Sequence, residues 1–119
     1  MKTYRELIVW QKSIKLVVGI YRTTALFPKE ETYGLMSQMR RAVVAIPSNI
    51  AEGYSRRHTK EFAQFVKVAF ASGAELETQI IVAKELRFLS VDKFTEVDGL
   101  LTEVMRMLNK LDSSLTNKS

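Results

Sequence analysis

From Phe94 to Leu115 the apolar residues Phe94, Val97, Leu101, Val104, Leu108, Leu111 and Leu115 recur at alternating steps of three and four. A spacing of this kind draws one apolar stripe along a helix and fits no strand, whose side chains alternate with period two. Three earlier segments carry the same signal. Thr3 and Glu6 stand at capping-box spacing before Leu7, Trp10, Ile14, Val17 and Tyr21, and this first helix is expected to end near Leu26 and Phe27, ahead of Pro28. A second helix is expected from about Thr32 to Tyr54, with Leu35, Met39, Ala42, Ile46 and Ile50 inward. A third runs from about Thr59 to Phe88 through Phe62, Val66, Ala69, Gly73, Leu76, Ile80 and Ala83, and Ser90 is the expected N-cap of the fourth.

Four amphipathic helices joined by short connections imply antiparallel neighbours. The reading is an all-α, antiparallel, up-down-up-down four-helix bundle, with residues 1–119 forming a single domain whose polar tail, 113–119, frays. Apolar residues outside the stripes, among them Ile8, Val9, Leu16, Val18, Ile20, Phe65, Phe70 and Leu100, exceed what one seam requires. That excess points to self-association.

The chain has no cysteine, which excludes disulfides and thiolate chemistry, and its one histidine, His58, leaves little material for a histidine metal site. It has neither a paired Glu-x-x-His motif nor a phosphate-cradling glycine loop. A protein without cofactor, metal or catalytic residues is expected. With no signal-like start and no apolar run long enough for a membrane span, the expected location is the cytoplasm and no membrane partner is expected.

Charge is distributed unevenly. Residues 1–60 contain 11 Lys and Arg against 4 Asp and Glu, whereas residues 61–119 contain 7 against 9, for a net charge of +5. On the first helix Arg5, Lys12, Lys15 and Arg22 fall on one face, and Arg56, Arg57 and Lys60 add charge at the turn after the second. Such residues suit the phosphate backbone of RNA or DNA, with binding that is sequence-tolerant and salt-sensitive. Tyr54, beside the turn, is a candidate to stack on a base. The alternative is a scaffold whose grooves receive a protein partner and whose charge serves solubility.

Pro47 interrupts the second stripe inside MRRAVVAIPSNIAEGYSRR. It removes one donor and crowds the Val43 carbonyl, at roughly 3 kcal/mol, so compensation is expected from Ser48 and Asn49 through local hydrogen bonds. Folding the second and third helices about a turn near Arg57 places Arg41 level with Gly73. Glu75, beside Ser72, then becomes the expected partner of Arg40 or Arg41, and Glu52 that of Arg56 or Arg57.

The segments VWQKSIKLVVGIY, FPKEETYGLMSQMRRAVVAIPSNIAEGYSR, KEFAQFVKVAFASGAELETQI and LRFL carry a family likeness. Between about Leu7 and Leu89 the chain resembles the bacterial four-helix-bundle proteins encoded in intervening sequences of large-subunit ribosomal RNA genes. Met36 and Met39 depart from the family pattern, and the fourth helix matches only in apolar period. The resemblance implies an antiparallel bundle that assembles as a ring-like homopentamer, with no established enzymatic activity. It extends to the accessory proteins of diversity-generating retroelements, basic pentameric barrels associated with nucleic acid and a reverse transcriptase.

Overall fold

A computed structural model of the protein describes residues 3–118. Four helices account for most of them: α1 (Ile8–Thr24), α2 (Leu35–Ser55), α3 (Thr59–Glu85) and α4 (Thr95–Lys118), preceded by 3-10 turns at Tyr4–Glu6, Lys29–Glu31 and Val91–Phe94. No strand occurs among the described residues. α1 packs on α2 and α4, and α3 on the same two, so α1 and α3 occupy opposite corners of a bundle 45 Å long and about 20 Å wide. This is the antiparallel four-helix bundle that the apolar periods predict.

In α2, α3 and α4 the buried faces follow the expected stripes, with Met39, Ile46, Ile50, Val66, Leu76, Phe94, Val104 and Leu108 removed from solvent. In α1 the phase differs. The buried face is Val9, Ser13, Leu16, Ile20 and Thr24, about one residue's rotation from the expected one, while Ile14 and Tyr21 remain 37% and 41% exposed. Two of these buried side chains are hydroxyls. Burial costs them little because each is satisfied within its own helix: Ser13 Oγ donates to the Trp10 carbonyl and Thr24 Oγ1 to that of Ile20, both at 2.7 Å.

The helix ends have local causes. The Glu31 carboxylate accepts the Leu35 amide at 3.1 Å, placing a negative charge at the N-terminus of α2. At the far end of α3, Arg87 takes a left-handed conformation with φ 58°, the Phe88 amide donates to the Ala83 carbonyl and the Arg87 amide to that of Lys84. This is a Schellman termination carried by a non-glycine residue. Because a left-handed residue with a Cβ costs about 1 kcal/mol, Arg87→Gly is expected to raise the unfolding free energy by roughly that amount in a urea titration.

Ser90 precedes the last 3-10 turn as expected, but its hydroxyl serves the Asp92 side chain and no backbone amide. That hydrogen bond, ahead of smaller backbone and Lys93 contributions, holds the Asp92 carboxyl below its ordinary value. α4 is helical to Lys118, with Leu115 buried near its end, while Ser119 lies outside the described residues.

Candidate nucleic-acid interface

The antiparallel topology brings Arg5, the α2–α3 turn and the C-terminal part of α4 to one end of the bundle, while Arg22 lies toward the other. The basic residues named from the sequence therefore form no single surface. Lys12 turns toward α4, where Nζ lies 3.3 Å from Glu103 Oε1. Lys15 and Arg22 border a groove of about 390 Å³ between α1 and α4, shared with Ile14, Val18, Glu96 and Leu100.

At the turn, Arg56 is held by two acids, with Glu52 Oε2 at 3.2 Å and Glu61 Oε1 at 3.8 Å, and its guanidinium lies over the Phe65 ring at 5.2 Å. Arg57 adopts φ 57° and, like Lys60 and Arg5, is exposed and forms no ion pair within the described residues. Arg57 also lines a depression of about 280 Å³ with Tyr54, His58, Thr59, Phe62 and Leu115. Tyr54 is half-buried and meets Phe62 edge-on, ring centroids 5.8 Å apart. His58 is exposed, and its carbonyl accepts the Phe62 amide in the first turn of α3.

The polar network expected between α2 and α3 is only partly assembled. Gln38, Arg41, Ser72 and Glu75 do share one depression, which agrees with the expected register of the two helices. No ion pair joins Arg40 or Arg41 to Glu75, whose Oε2 accepts from Gln79 Nε2 at 3.3 Å. Arg40 crosses instead to the end of α1: Nε donates to Thr24 Oγ1 at 3.0 Å, Nη2 donates to the Tyr21 carbonyl at 3.1 Å, and the guanidinium stacks 4.4 Å over the Tyr21 ring. The α1 carboxyl end, negative from its unpaired carbonyls, supplies a field that Glu75 was expected to provide.

Around Pro47 the helix is continuous and the proline is buried. Asn49 Nδ2 donates to the Ala45 carbonyl at 2.7 Å, so its side chain does not reach the Val43 carbonyl left without its usual donor. Ser48 is exposed and makes no side-chain hydrogen bond among the described residues. Compensation from these two side chains is thus limited to one bond, at a carbonyl two residues beyond the gap.

Sequence reasoning placed Ile8 and Val18 outside the inward stripe of α1 but turned Ile14 and Tyr21 toward the core, where the structure leaves them outward. A usable signal was the pair Ser13 and Thr24, eleven residues apart and so on one helix face, together with Gly19, since small side chains permit close helix approach. A Cβ on Gly19 would stand 3.0 Å from Val97 Cγ1 of α4.

Among the described residues, no group of three or more His, Cys, Asp or Glu side chains is placed to hold a metal ion, and no helix is long and apolar enough to cross a membrane. The fold and its charged end thus define an all-helical bundle with an exposed basic tip. Residues 5–110 match the family described as 23S rRNA-intervening sequence protein, and the chain belongs to that family. Its fold is similar to a crystal structure from Bacteroides thetaiotaomicron, described as a protein with unknown function from the S23 ribosomal protein family. The TM-score is 0.81 at 18% identity, over 89% of this chain and 96% of that one. Comparison with curated proteins gives no match.

Proposed function

We propose that this protein is a non-enzymatic, cytoplasmic, oligomeric helical bundle that binds the backbone of RNA or DNA without sequence preference. Its oligomer is taken to be the homopentamer implied by the resemblance. The observation carrying the reading is the trio Arg5, Arg57 and Lys60, exposed at one end of the bundle and free of ion pairs within the described residues. Lys12 and Arg56 are neutralised within the chain and contribute less. Exposed cations of this kind track phosphates but read no base edges.

Three phosphate contacts per copy predict that the logarithm of the duplex-DNA binding constant falls with log salt with a slope of roughly −3. Protein stripped of copurifying nucleic acid by nuclease and high salt is expected to retard mixed RNA and DNA in a gel. Replacing Arg5, Arg57 and Lys60 together by Gln is expected to abolish the shift, whereas Lys12→Gln leaves it nearly unchanged. Retention of the shift by the triple variant rejects the reading. A protein-scaffold role is the second reading, favoured by that same internal neutralisation of Lys12 and Arg56.

A further inference from the structure

We infer that the depression between α2 and α3 is a binding site for a small zwitterion, a free α-amino acid. It lies on the flank of the bundle, roughly 24 Å along the axis from Arg57 at the basic tip, and is independent of the polyanion reading. Its walls are Gln38, Arg41, Ala42 and Ala45 of α2 and Ser72 and Glu75 of α3, and its volume is about 250 Å³. That is below the roughly 300–1,000 Å³ of pockets that hold drug-sized molecules, so the occupant is a small one.

Two opposite charges line this depression without meeting. Arg41 and Glu75 are both exposed, and neither forms an ion pair with the other or with any described residue. The side chains of Gln38, Arg41 and Ser72 also make no hydrogen bond among the described residues. Elsewhere in the bundle cations and acids within reach do pair, as Lys67 with Asp112 and Lys84 with Asp98, each at 2.6 Å. Gln79 holds the acid of this depression at a cost. The residue is 6% exposed and its Nε2 donates to Glu75 Oε2 at 3.3 Å, while its Oε1 is buried without a hydrogen-bond partner, the one such side-chain atom among the described residues. Turning the amide over would only oppose Oε1 to a carboxylate oxygen. A leucine at this position would pack without the penalty of an orphaned acceptor, so a glutamine here is accounted for by what it does for Glu75. It fixes one carboxylate oxygen and leaves the other to accept from a ligand.

The chemistry of the walls sets the ligand. A carboxylate suits the planar fork of donors on Arg41, with the Gln38 amide beside it. An ammonium suits the Glu75 carboxylate, with the Ser72 hydroxyl as a further acceptor. A ligand with one charge would leave the opposite wall uncompensated, whereas an α-amino acid answers both within one small molecule. Ala42 and Ala45 supply an apolar floor for its Cα. Glu75 and Arg41 are thus the binding residues, and Gln79 is a positioning residue that acts through Glu75.

Saturation-transfer NMR on the full chain tests this with a panel of the standard L-amino acids at millimolar concentration. At least one is expected to receive saturation, whereas its N-acetyl and amide derivatives, which lack one charge each, are not. These derivatives probe the wild-type protein and need no variant to fold. Arg41→Gln and Glu75→Gln, both at exposed positions, are each expected to weaken binding by roughly tenfold or more. Gln79→Leu is expected to move two readouts in opposite directions: the urea midpoint rises because the orphaned acceptor is gone, and the affinity falls several-fold because Glu75 loses its tether. A glutamine with a structural role only would move the midpoint alone. Circular dichroism establishes that each variant is folded. No saturation of any amino acid, equal saturation of a singly charged derivative, or unchanged affinity in any of the three variants overturns the inference. The Arg5, Arg57 and Lys60 variant is expected to keep the wild-type affinity, so this result and nucleic-acid binding are read separately.

Discussion

Gly53→Ala is expected to lower the unfolding free energy by about 2 kcal/mol, although alanine is the better helix former by nearly 1 kcal/mol. A Cβ at that position would lie 2.5 Å from Phe65 Cβ, 3.1 Å from Phe65 Cγ and 3.0 Å from Phe62 Cδ1. Phe65 Cβ is bonded to the α3 backbone and cannot swing aside as the tip of a flexible side chain does. α2 and α3 must therefore separate along their crossing, loosening contacts of Ile50 and Val66, which are fully buried. Gly99 provides the internal control. Nothing lies within 4 Å of a Cβ built there, and the site is exposed, so Gly99→Ala is expected to stabilise by up to about 1 kcal/mol. Urea midpoints of the two variants should move in opposite directions from wild type. A Gly53→Ala midpoint at or above wild type would mean that the helices do not approach this closely.

Arg40→Met is expected to cost about 2 kcal/mol, the range found for hydrogen bonds to charged groups. Methionine keeps most of the apolar stem but removes both donors and the cation stacked on Tyr21. The cost comes from three losses at the end of α1. Thr24 Oγ1, on a fully buried residue, loses an incoming donor; the Tyr21 carbonyl is left with the Ala25 amide and a long bond from the Thr24 hydroxyl at 3.4 Å; and the helix terminus loses its compensating positive charge. Arg40→Lys should recover only part of it, since an ammonium cannot present the planar pair of donors that reaches Thr24 and Tyr21 at once. A double-mutant cycle of Arg40→Met with Thr24→Val is expected to show a coupling of about 1 kcal/mol, and strict additivity would sink the assignment.

These two sites show where sequence reasoning stops. The register of α2 against α3 was legible because their connection is short: Arg41, Ser72 and Glu75 do reach one depression. The choice of partner was not. Arg40 was expected to reach Glu75 on α3, yet it crosses to α1, whose position relative to α2 depends on a longer connection through Pro28 and the Lys29–Glu31 turn. The basic face was similarly dissolved by tertiary contacts, since Glu103, Glu52 and Glu61 each claim a cation named from its spacing.

Periodicity by itself determined that this chain forms four helices and which faces of α2, α3 and α4 turn inward, because each of those helices carries a single dominant apolar stripe. In α1, two stripes one residue apart compete, Leu7-Trp10-Ile14-Val17-Tyr21 and Val9-Ser13-Leu16-Ile20-Thr24. Hydrophobicity favours the first, but packing selects the second, because Ser13 and Thr24 satisfy their own hydroxyls and Gly19 lets α4 come close. Tertiary structure alone therefore decided the rotation of α1, and with it which apolar and basic side chains face outward together.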